Sequence, residues 1–117
     1  MADIGMAIPL KPGKTEAWKQ FMRDIQGPKW GEMKALAADA GMDRVRGWVV
    51  SAPQGDVAVV VQEGPGAHAW RDYVAHSDAP IAEWFRETAE SVHGTDFGPD
   101  GDPQPPVEFV FDFRIKD

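Results

Sequence analysis

The order in which hydrophobic periodicity changes along the chain constrains its fold more than any single residue does. Ile4, Met6, Ile8 and Leu10 alternate at the period of a strand, with the small Gly5 and Ala7 between them. Lys11-Pro12-Gly13-Lys14 turns the chain, and Thr15 is a suitable N-cap for a helix starting at Glu16. Trp18, Phe21, Met22 and Ile25 then recur at helical spacing, until Gly27-Pro28 breaks the run. A second helical piece over residues 30–40 turns Met33, Leu36, Ala37 and Ala40 inward and ends at Gly41. Two β-rich runs, 44–51 and 56–63, follow on either side of a short turn. Beyond Gly64-Pro65-Gly66, Trp70, Tyr73 and Val74 mark another helix. It is interrupted at Ser77-Asp78-Ala79-Pro80 and resumes with Ile81, Trp84, Phe85, Thr88 and Val92. A loop rich in Gly, Pro and Asp leads to a final alternation of Val107, Phe109, Phe111, Phe113 and Ile115. The predicted order is therefore βαββαβ: a four-stranded antiparallel sheet with interrupted helices on one face, in the α+β class.

Composition narrows the functions such a fold could serve. The 117 residues suit a single domain, 1–117, long enough to bury a core without staples. With 12 Lys and Arg against 19 Asp and Glu, the net charge is −7, which opposes nucleic acids and anionic membranes. Cysteine is absent, and with it disulfides, thiol chemistry and thiolate metal sites. No apolar run reaches membrane-spanning length and no targeting segment is visible, so a soluble, cytoplasmic domain is expected.

Loop length sets what the central hairpin displays. A loop of two or four residues around Ala52-Pro53-Gln54-Gly55 puts Arg44, Arg46 and Trp48 on the face of Val57, Val59, Val61 and Glu63, with an arginine beside Glu63. A three-residue loop instead gathers Val45, Val49, Val57, Val59 and Val61 into one apolar face. Both registers are open to the sequence.

Few residues carry chemistry. Of the three histidines, His93 falls at a helix end, where the dipole favours an imidazolium without any function. His68 and His76 are eight residues apart, too far for the i, i+4 spacing of a shared metal site. His76 immediately precedes the helix break, where a gap can open onto a cavity, and is the candidate acid–base group. Five tryptophans are mostly core by spacing, but Trp30 follows a break and Trp48 lies among arginines. Together with Tyr73 these two are candidates to shape a substrate cleft. Arg46 is the candidate to stabilise developing negative charge, although strand charges of this kind also suit a solvated sheet face. The Asp96–Asp102 stretch places Gly101 as an EF-hand would, but Gly98 and Val107 occupy ligand positions, so no metal site is expected. No P-loop, dinucleotide fingerprint or nucleophilic triad is present, and no cofactor is implied.

In pattern, over nearly its whole length, the chain resembles the dimeric α+β barrel superfamily of ferredoxin-like domains. The stretches that carry the resemblance are Ile4 to Lys14, Trp30-Gly31-Glu32-Met33 through Gly41 into Trp48-Val49-Val50, and Phe109 to Phe113. The superfamily includes cofactor-independent monooxygenases of the antibiotic-biosynthesis type, haem-degrading enzymes, muconolactone isomerase-like proteins, sugar mutarotases and many proteins of unknown function. The resemblance implies a homodimer whose sheets form a barrel, with a site in a cleft between sheet and helices. The chain lacks Asn, which the haem-degrading set uses, and has no His before His68, where the mutarotase type carries one in its first helical region. The expectation is a monooxygenase or isomerase acting on a hydrophobic or aromatic small molecule. The alternative is a non-catalytic ligand-binding or structural homodimer using the same scaffold.

Overall fold

The computed structural model describes residues 3–116. Three strands, β1 (Ile4–Pro9), β2 (Arg44–Ala52) and β3 (Gly55–Glu63), form an antiparallel sheet in the order β1-β3-β2. Four helices, α1 (Thr15–Gln26), α2 (Trp30–Asp39), α3 (Trp70–His76) and α4 (Pro80–His93), cover one face. A 3-10 turn at Ala67–Ala69 leads into α3.

Each helix break lies where proline or glycine placed it. Gly27-Pro28 separates α1 from α2, and Pro80 occupies the first turn of α4, where a missing N–H costs nothing. Ser77 Oγ accepts the Ala79 amide at 3.2 Å across the gap between α3 and α4. Thr15 does not cap α1 through its side chain; its hydroxyl donates instead to Asp56 and ties the helix start to β3.

The hairpin takes the two-residue alternative. Ala52 pairs with Gly55 across Pro53-Gln54, and Arg44, Trp48 and Val50 oppose Glu63, Val59 and Val57. By strand parity Ile4, Met6 and Ile8 share a face with Gln62, Val60 and Ala58, and this face receives the helices. One buried cluster centres on Ile4, Met33, Leu36, Trp70, Val74 and Ile81, the other on Leu10, Trp18, Phe21, Ala58 and Val92. Ile25, Trp84 and Phe85 pack against both, and Phe21 meets Trp84 edge-on at 5.3 Å.

The fourth strand is not formed, and this corrects the ferredoxin-like βαββαβ assignment, the four-stranded sheet and the barrel together. The sheet has three strands and is open, not closed or curled into a barrel. Alternation of Phe109, Phe111, Phe113 and Ile115 gives a segment two faces, but a strand also needs a neighbouring edge to take its backbone hydrogen bonds. Four prolines (99, 103, 105 and 106) precede the segment, and Pro105-Pro106 deliver it without N–H donors. The segment passes over the Gly5–Val61 end of the sheet and leaves a hollow of about 370 Å³ between Gly5, Val61 and Phe109, Phe111 and Phe113. Its apolar side chains are exposed, Phe111 and Phe113 stacking on each other at 5.2 Å. Among the described residues no helix is long and apolar enough to cross a membrane.

Candidate functional site

A second concavity lies outside the sheet, between α3 and the loop that follows α4. This open cleft holds about 350 Å³ and is lined by His68, Arg71, Asp72 and His76 on one side and by Phe97, Pro99, Asp102 and Gln104 on the other. That volume is within the range of small-molecule sites, which span roughly 300–1,000 Å³.

The loop wall is held by its own hydrogen bonds. Asp96 Oδ1 accepts the Gly98 amide at 2.8 Å, and Asp102 Oδ2 accepts the Asp96 amide at 2.9 Å. A side chain at Gly101 would fall on the Asp96 backbone, so only glycine closes this loop. The aspartates are therefore spent on turn geometry. Among the described residues no group of three or more acidic or imidazole side chains could hold a metal ion.

The helix wall carries the titratable groups. His76 lies one turn after Asp72, and its Nδ1 donates to the Asp72 carbonyl at 2.9 Å. A carbonyl oxygen only accepts, so Nδ1 carries a proton, and in the neutral imidazole Nε2 is the nitrogen with the free lone pair. The Asp72 carboxylate stands 3.4 Å from the same nitrogen. His68, in the 3-10 turn, is fixed the opposite way, its Nε2 donating to the Asp3 carbonyl at 3.1 Å. The two imidazoles line one cleft with opposite ring nitrogens committed.

Beneath them, Phe97 is buried with Arg71 over its ring at 4.4 Å and His93 beside it at 6.2 Å. Arg71 also donates to the Asp102 carbonyl at 2.8 Å. Burial pushes its guanidinium below the ordinary value, with the Asp102 charge opposing that shift. His93 is the larger departure from expectation. It donates through Nδ1 to the Pro9 carbonyl at 3.0 Å. Burial lowers its pKa, the Pro9 bond resists, and the Arg71 charge lowers it further. The helix dipole that would favour an imidazolium there is outweighed.

The five residues singled out from sequence do not converge on one site. His76 lines the cleft. Arg46 and Trp48 stand together on the sheet face away from the helices, guanidinium over indole at 5.9 Å, and Arg46 reaches Glu63 at 3.4 Å. Trp30 is exposed at the start of α2, and Tyr73 is partly exposed on α3. His68, Arg71 and the Phe97 loop were not anticipated. Nothing local in the sequence signals that residues 97–104 fold back onto α3.

The sequence matches no protein-family model, and no curated protein matches it significantly. Among solved structures, the crystal structure of an L-rhamnose mutarotase from Formosa agariphila is similar, with a TM-score of 0.56 at 16% identity. The likeness covers 95% of this chain and 100% of that one. It is a likeness of fold, to the mutarotase arrangement and not to a closed ferredoxin-like barrel.

Proposed function

We propose that this chain is a cofactor-independent isomerase of a small polar molecule, with His76 as its acid–base group. The observation that carries the reading is the committed tautomer of His76 at the wall of the cleft, with Nε2 left as a base. The mutarotase-like fold agrees with an isomerase, and the ionisable side chains along the lining (His68, Arg71, Asp72 and His76) favour a hydroxylated substrate over a hydrophobic or aromatic one, and over the monooxygenase alternative. In a mutarotation, Nε2 takes the proton of the anomeric hydroxyl as the ring C–O bond breaks. The imidazolium then returns this proton from Nε2 to the ring oxygen, and the open carbonyl form recloses on either face. The Asp72 carboxylate gives the transient imidazolium a counter-charge.

The test is anomer interconversion followed by NMR over a panel of monosaccharides and sugar acids, with wild type and His76→Gln. Acceleration by wild type that falls roughly 10²–10⁴-fold in the variant supports the reading. Binding without acceleration would replace it with the ligand-binding alternative.

For assembly, the proposal is a homodimer. Trp48 and Val50 are about half exposed on the open face of the sheet, and Phe109, Phe111 and Phe113 more so. A second copy is the natural cover for these surfaces, since its own 107–115 segment carries the matching apolar alternation. Native mass spectrometry decides it, a monomer at micromolar concentration overturning the proposal.

A further inference from the structure

The guanidinium of Arg71 is presented to the cleft with most of its bonding capacity unspent. It has five N–H donors, and the structure assigns one hydrogen bond to it, to the Asp102 carbonyl. Among the described residues no carboxylate stands within ion-pair distance of it. Asp102, the acidic side chain nearest in the loop, turns its carboxylate back onto the Asp96 amide. The Phe97 ring lies against the guanidinium at 4.4 Å, which restricts how far its remaining donors can move. A positive charge that burial disfavours, packed against Phe97 at a cavity wall and without an ion-pair partner among the described residues, is the arrangement that a bound anion completes.

We propose that Arg71 binds a carboxylate group of the molecule held in this cleft, which makes the substrate an acid, such as a sugar acid, and not a neutral sugar. The inference rests on the reading of the cleft as the reactive site. The charge balance selects the kind of anion. Asp72 and Asp102 both border the cleft, so a phosphate, with a charge of about −1.5 to −2 at neutral pH, meets more repulsion than a carboxylate does. A carboxylate also matches the two-pronged edge of a guanidinium, and one such anchor sets which ring carbon faces His76 on the same wall.

The experiment is an NMR titration of the full chain at fixed ionic strength with D-glucuronate and D-glucose, which differ in one carboxylate. Wild type is expected to bind glucuronate about tenfold or more tightly than glucose, and Arg71→Gln to bind both alike. Arg71→Lys, which keeps the charge without the fork, is expected to fall between them and serves if the glutamine variant does not fold. Equal affinities in wild type overturn the inference, as does a preference that survives in Arg71→Gln. Binding of neither compound overturns it together with the cleft reading. Preferential glucuronate binding without accelerated anomer exchange upholds the anchor and sinks only the isomerase.

Discussion

Arg46 reaches Glu63 diagonally across the β2–β3 pair at 3.4 Å, although the register partner of Glu63 is Arg44. The contact is an ion pair without hydrogen-bond geometry, and Glu63 Oε2 is shielded from solvent with no hydrogen-bond donor. Removing Arg46 leaves that oxygen without its one counter-charge. Arg46→Ala is expected to cost about 1 kcal/mol, less at high salt, and Arg44→Ala a smaller amount. Urea unfolding midpoints decide, and a larger loss for Arg44→Ala would contradict the diagonal pairing.

Gln62 occupies a core position on the helix-facing side of β3, 6% exposed, and its Oε1 accepts no hydrogen bond. A buried acceptor without a donor keeps its desolvation cost and returns nothing. Gln62→Met, similar in shape, is expected to raise stability by roughly 1 kcal/mol. A lower melting temperature would show that the amide has a partner in solution.

Two glycines make a paired test of backbone packing. The Gly66 amide donates to the Gly41 carbonyl at 2.9 Å, and a Cβ at Gly66 would fall on the Ala40 carbonyl oxygen. At Gly31, in the first turn of α2, a Cβ meets open space. Gly66→Ala is expected to destabilise by about 1–3 kcal/mol and Gly31→Ala to stabilise by up to about 1 kcal/mol. Thermal melts of the two variants should therefore move in opposite directions.

The environment of His93 makes stability depend on pH. Its folded pKa is lowered, so the unfolded chain binds the proton more tightly, and the neutral imidazole belongs to the fold. The stabilisation is complete above the unfolded value of about 6.5 and is lost as pH falls from there through the lowered folded value. Unfolding free energies between pH 7.5 and 5 should decline, with His93→Gln flattening that part of the decline. An unchanged slope in the variant would assign the dependence to other groups.

Helix positions and their breaks were legible because Pro28, Pro80 and Gly41 act on the backbone locally. The hairpin was legible up to the parity of its loop, which Pro53-Gln54 resolves. The last strand failed because alternation in Phe109, Phe111 and Phe113 describes what a segment could bury, not which edge receives it. Of the residues that line the cleft, His76 was singled out from sequence through its neighbouring helix break. Arg71 and Phe97 were not, since their meeting is a tertiary event between residues 26 positions apart in the sequence. Tyr73 shows the converse, a residue at core spacing that remains 37% exposed.

The uncovered aromatic segment over 107–115 also makes this molecule a charge-stabilised colloid. With a formal charge of −7 on each chain, like-signed repulsion keeps the assemblies, and any apolar stripe a partner leaves uncovered, apart in dilute buffer. Salt that shortens the screening length, or acid that neutralises the carboxylates, removes that barrier without altering the fold. Precipitation on salting or acidification should therefore set in while the helices are still intact. A charge placed at Phe111 or Phe113 should restore clarity where a stabilising core substitution does not.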